Sequence, residues 1–224
     1  FYSNRLMRFL NSDDVVYLSS HCSLKNAFSY CNLRPIMQKD KNGYISEYAA
    51  EELIRENADF IIAAANEFDV DPQILAGVIY AEQTLNVDII DTLTDWLGSS
   101  GIIDTSVGIA QVKMSTAKSV EDAGLIEKST QTILHGVIVE KTEIQHRYER
   151  LTDNQTNIRY AAAYLRLLTD AWKPSFKTIA QSPNILGTLY NIGVGKPHSN
   201  PGDNGFGRTV AAVYEKMKVL LGLK

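Results

Sequence analysis

The chain has little of what would tie it to nucleic acid, a bilayer or a metal. Its formal net charge is −4 with a pI near 5.6, and no basic run is longer than a pair. A phosphate-binding face needs clustered Lys and Arg, so a nucleic-acid partner is excluded. The longest apolar stretches, such as Ile74–Ala81, fall far short of the roughly 18–20 residues that span a membrane. The four histidines, His21, His135, His146 and His198, show no metal spacing with acids or cysteines, so neither a metal nor a cofactor is expected. Cysteine is scarce as well. Cys22 and Cys31 lie nine positions apart, which allows either a small disulfide loop, and with it an oxidising compartment, or two reduced thiols in N-terminal packing.

What is present is the composition of a globular protein. Hydrophobic residues make up 45% and prolines number only 6, which excludes a disordered chain. A length of 224 residues suits one sizeable core, or a main domain with a small appendage. The turn signal Lys39-Asp40-Lys41-Asn42-Gly43 marks a boundary, dividing an N-terminal extension (1–43) from a main domain (44–224). Beyond it, Ser46 caps an expected helix running to Phe68, and Asp71 with Pro72 opens another over Gln73–Thr84. Apolar spacing near 3.6 predicts further helices at Ser115–Ala123, Ile133–Leu151, Gln155–Trp172, Asn184–Tyr190 and Arg208–Leu221. Sustained alternation is scarce, so any sheet is small. The segments Asn86–Thr105, acidic and aperiodic, and Gly193–Gly207, rich in Gly, Pro, Asn and Ser, read as loops.

Glu82 ends the apolar run Ala76-Gly77-Val78-Ile79-Tyr80-Ala81. A carboxyl set against apolar side chains loses solvation in its charged form and can hold a proton for a leaving group near neutral pH. A lone acid of this kind is more often a solvated or paired side chain; its surroundings raise the odds of catalysis. Downstream lies Gly108-Ile109-Ala110-Gln111, where glycine permits close approach of a ligand and glutamine both donates and accepts hydrogen bonds. Then follow Thr116-Ala117, Asn157 with Tyr164-Leu165, and Tyr190-Asn191-Ile192-Gly193.

In this order the residues resemble the lysozyme-like superfamily, in particular the soluble lytic transglycosylases and goose-type lysozymes. The resemblance runs over roughly 71–221. It implies a mainly α domain with a small β-hairpin or irregular lobe after Glu82, and cleavage of the β-1,4 bond between N-acetylmuramic acid and N-acetylglucosamine in peptidoglycan. Glu82 would act as general acid and base, Tyr190 would orient it or the sugar, and Gly108, Gln111, Asn157, Asn191 and Gly193 would shape or line the sugar site. The sequence departs from the group at Gln83, where serine is common, at Met114, where proline is common, and in the length between Glu82 and Gly108. Lys113 stands where goose-type enzymes carry an aspartate, leaving Asp104 as the candidate second acid, against its reading as a turn cap. The missing aspartate tips the expectation towards a transglycosylase, with hydrolysis as the alternative. Trp96 and Trp172 are candidates for stacking on sugar, with packing the commoner role. A periplasmic or secreted location follows from the substrate. The same chemistry would suit an antibacterial effector restrained by a protein inhibitor; a wall-binding or assembly module that has lost catalysis is the reading from another class.

Overall fold

The computed structural model describes residues 2–3, 8–9, 46–85, 104, 106–128, 131–134, 137–140 and 143–224. The Cys22–Cys31 pairing, Trp96, His21, His135, nearly all of the 1–43 extension and all of the acidic loop but Asp104 lie outside them. Eight α-helices dominate the described chain, with three small antiparallel pairs of strands. The pairs are β1 (Tyr2–Ser3) with β2 (Arg8–Phe9), β3 (Ser106–Val107) with β4 (Val112–Lys113), and β5 (Gln131–Leu134) with β6 (Val137–Glu140). This is the expected mainly α architecture with a small hairpin after Glu82.

Helices α1 (Glu47–Glu56) and α2 (Ala58–Phe68) replace the single helix expected over this stretch. Ser46 caps α1 as expected, its hydroxyl accepting from Ala49 N at 3.2 Å. The break is Asn57, whose buried side chain donates to Leu53 O at 2.8 Å and whose backbone leaves the helical region. An amide that bonds its own neighbouring backbone competes with helix continuation. Helix α3 (Pro72–Leu85) starts where Asp71 Oδ1 accepts from Gln73 N at 2.8 Å. Every residue from Ile74 to Glu82 is buried, so α3 is the central rod of the domain; a helix apolar on all sides belongs inside.

Helix α4 (Met114–Asp122) follows β4 directly. The helix expected over Ile133–Leu151 begins only at α5 (Glu143–Thr152). Its first part is the β5–β6 strand pair, in which Ile133 pairs with Ile138 and Leu134 with Val137. Thr132, Ile133, Val137, Ile138 and Val139 are β-branched, a stiffness that suits strands. Helix α6 (Asn154–Trp172) is capped by Asp153, which accepts from Thr156 N at 2.9 Å. Helices α7 (Pro183–Ile192) and α8 (Gly205–Leu220) are joined by the loop read from composition. Asn204 caps α8 by accepting from Gly207 N at 2.9 Å.

The core gathers Ile54, Ile61, Leu75, Ile79, Ile158, Leu165, Leu168, Ile179 and Met217, all essentially inaccessible. Helix α3 packs against α8, and α8 against α7. At Gly187 a Cβ would sit 2.8 Å from a Val210 methyl and 3.1 Å from Gly207 Cα, so the bare backbone is what lets α7 and α8 approach. Away from α3, Arg147 on α5 donates to Glu121 on α4 at 2.6 and 3.0 Å, and Tyr160 on α6 donates to the same carboxylate at 2.7 Å. Both charged side chains are buried, at 6% and 4% exposure, and each has its partner, which a buried charge requires. Among the described helices none is long and apolar enough to cross a membrane.

Candidate active site

Glu82 lies in the last turn of the central helix α3 and is 5% exposed. The β3–β4 hairpin is tied to this end of α3 by Gln83, whose Nε2 donates to Ile109 O at 2.6 Å. The hairpin turn runs from Gly108 to Gln111, and its first and last residues hold backbone conformations few residues adopt, with Gly108 at φ 77° and Gln111 at φ 47°. A Cβ at Gly108 would collide with the Asn157 amide and Leu151 O, so glycine is required there by both its angle and its surroundings. Gln111 has no such licence and is strained.

Side chains from three helices hold the turn in place. Asn157, fully buried on α6, accepts from Ala110 N at 2.8 Å and donates to Val107 O at 2.8 Å and Leu151 O at 2.9 Å. Tyr190, buried on α7, donates to Ala110 O at 2.8 Å. Gln111 closes on itself, its backbone N and its Nε2 donating to Gly108 O at 3.1 and 2.7 Å. With Gln83 on Ile109 O, the four successive carbonyls from Val107 to Ala110 each have a donor. The Gln111 side chain keeps one unpaired atom: its Oε1 is buried and has no hydrogen-bond partner.

Tyr190 also reports where Glu82 stands. Burial raises the Tyr190 phenol well above its ordinary value of 10.0, and the negative charge of Glu82 adds to the rise, as does Tyr164. Tyr164 meets the Tyr190 ring edge-on, with centroids 5.5 Å apart, and burial raises its phenol too. Tyr190 is therefore a neutral hydrogen-bond donor at any working pH, held between the turn and the acid.

The structure thus brings Gly108, Gln111, Asn157 and Tyr190 together at one turn, with Glu82 beside Tyr190. Asn157 has no spare donor for a sugar: both amide hydrogens are bound to backbone carbonyls, its oxygen accepts from Ala110 N, and the side chain is 0% exposed. Asn191 and Gly193 lie at the C-terminal end of α7. Asn191 is exposed and accepts from Asn204 Nδ2 at 3.0 Å, and Gly193 at φ 93° ends α7. Asp104 is exposed, and its two oxygens accept from Ser115 N at 2.8 Å and Ser115 Oγ at 2.6 Å. That is the cap reading, at the first turn of α4. Lys113 is exposed at the end of β4. Trp172 is buried, donates to Val194 O at 2.6 Å and meets the His198 ring edge-on, so it packs the α7–α8 loop. Gln83 was visible in the sequence only as a departure from serine; its adjacency to Glu82 was the available signal. Among the described residues no group of His, Cys, Asp and Glu is arranged to hold a metal ion.

A mainly α domain with a small glycine-kinked hairpin tied to the end of its central helix has the architecture of a lysozyme-like glycosidase. Residues 33–170 match the sequence model of the family described as "T6SS, Peptidoglycan muramidase Tse3, catalytic domain", and the chain belongs to that family. It is an enzyme that acts on the glycan strands of peptidoglycan. No curated protein matches the chain.

Proposed function

We propose that Glu82 is the general acid that protonates the glycosidic oxygen between N-acetylmuramic acid and N-acetylglucosamine as the transition state takes on oxocarbenium character. The observation that carries this reading is the burial of Glu82, 5% exposed, next to Gln83, which ties its helix to a hairpin turn whose carbonyls from Val107 to Ala110 each have a donor. Tyr190 and Asn157 act through the turn as positioning residues. Gln111 offers its unpartnered Oε1 to an N–H or O–H of the glycan, such as an acetamido group. Gly108 gives the turn its shape, and Asn191 and Gly193 shape the far edge of the site.

Two acceptors can complete the reaction. The sugar's own C6 hydroxyl, deprotonated by the now ionised Glu82, closes a 1,6-anhydro ring and needs no other carboxylate. Engagement of both Asp104 oxygens by Ser115 favours this transglycosylase route. Water is the second reading, favoured by the family's description as muramidases; it calls for a base on the opposite face of the ring, a part for which Asp104 would have to leave Ser115. Mass spectrometry of digested peptidoglycan separates them, since anhydro ends are lighter by one water than reducing ends. Products of neither kind would leave only a binding module. Action on the wall places the enzyme in the periplasm or outside the cell that makes it, as an antibacterial effector would be, and such an effector needs a protein inhibitor to protect its producer.

A further inference from the structure

The residue next to the acid carries a task of its own. Gln83 lies in the last turn of α3 beside Glu82, and its Nε2 donates to Ile109 O at 2.6 Å. Asn157 and Tyr190 bind the turn to α6 and α7, at Ala110 N and Ala110 O. Gln83 comes instead from α3, the helix that carries Glu82. From these observations we infer that Gln83 is a positioning residue: it sets the distance between the Glu82 carboxyl and the Gly108–Gln111 turn, and so between the proton donor and the sugar that the turn holds.

The inference rests on the reading of Glu82 as the acid. Its physical content is the sensitivity of proton transfer to placement, where an error near 1 Å in a reacting group can cost on the order of a hundredfold. The covalent route from Glu82 to the turn through Gln83 is one peptide unit and one side chain. Without it, this direct link between the helix of Glu82 and the turn is lost. Ile109 O then loses its donor, and the turn drifts relative to Glu82 while Asn157 and Tyr190 keep it folded.

Gln83→Met keeps the length and most of the volume but cannot donate. Its kcat on defined peptidoglycan oligosaccharides is expected to fall about tenfold with KM within about twofold, because the bond acts on placement of the acid and not on sugar contact. Gln83→Glu supplies the conservative rescue. Only its protonated carboxyl can donate to Ile109 O, so its kcat relative to Gln83→Met is expected to recover at acid pH and to be lost as pH rises. Glu82→Gln run in parallel separates the two levels. If Glu82→Gln is inactive while Gln83→Met retains wild-type kcat, the tether is overturned and the acid stands. A Gln83→Met variant that changes only KM, or only thermal stability, likewise overturns it. Full activity in Glu82→Gln would overturn both.

Discussion

Replacing Asn157 with Leu tests whether the hairpin turn is held by the protein or by the sugar. Leucine has the branched shape and heavy-atom count of asparagine, but its methyls are bulkier than the amide groups, so some overpacking adds to the loss. Three hydrogen bonds disappear at once, to Ala110 N, Val107 O and Leu151 O, at a site of 0% exposure. Each stranded buried group costs about 1–3 kcal/mol. The three share one side chain and their losses are not additive, so a total of about 3–5 kcal/mol is the working figure. Against a typical stability of about 5–15 kcal/mol this is a large fraction. At about 2–4 °C per kcal/mol for a chain of this size, Tm should fall by about 10 °C or more. Urea unfolding with an unchanged m-value checks that the loss belongs to the native state. Asn157→Asp keeps an acceptor for Ala110 N but turns a carboxylate on the carbonyls of Val107 and Leu151, and should be no milder. An Asn157→Leu protein that melts within about 2 °C of wild type yet loses sugar affinity would refute the clamp and return Asn157 to the substrate.

Four other outcomes follow from the same geometry. Gly108→Ala forces a side chain into a φ of 77° and against Asn157 and Leu151 O, and should cost at least about 2 kcal/mol in chemical denaturation. Tyr190→Phe strands Ala110 O at about 1–2 kcal/mol, and should lower activity without changing its pH dependence, since the phenol is neutral throughout. Arg147→Met leaves Glu121 buried with Tyr160 as its remaining buried donor, a change worth about 3–5 kcal/mol by analogy with other broken buried pairs, readable as a drop in Tm. The tyrosines fix an alkaline limit. Tyr164 and Tyr190 are raised by burial, as is Tyr214, to about 12; their folded values exceed 10.0, so the unfolded chain ionises first. The stability they contribute is whole below pH 10 and declines above it, and Tyr190→Phe should flatten that decline in pH-dependent melts.

Much of the site was legible because its residues are chemically unusual where they stand. An acid ending an apolar run, a Gly three before a Gln, and an Asn and a Tyr-Asn pair in fixed order are visible in one dimension, and Glu82, Gly108, Gln111, Asn157 and Tyr190 do converge. Their division of labour was not legible, because it depends on which partner each polar atom meets. Asn157 faces backbone on every side, and Asp104 meets Ser115 eleven residues on; neither partner follows from spacing. The helix starts were placed well where capping residues and a long apolar stripe agree, as at Ser46 and Asp71. They failed at Ile133–Leu151, where Ile133, Leu134, Val137 and Ile138 satisfy a helical stripe and a hairpin equally. There β-branching decided for strands. They failed again at Asn57, whose side chain bonds the backbone of Leu53 and ends one helix inside an unbroken periodic pattern.

The most direct test of the central claim is the release of soluble muropeptides from purified peptidoglycan by wild type and by Glu82→Gln, with circular dichroism and Tm confirming that both are folded. Glutamine keeps the size of the buried side chain and cannot transfer a proton. A folded Glu82→Gln protein that releases nothing above background is the predicted result; one that digests the wall at the wild-type rate would contradict the assignment of the acid.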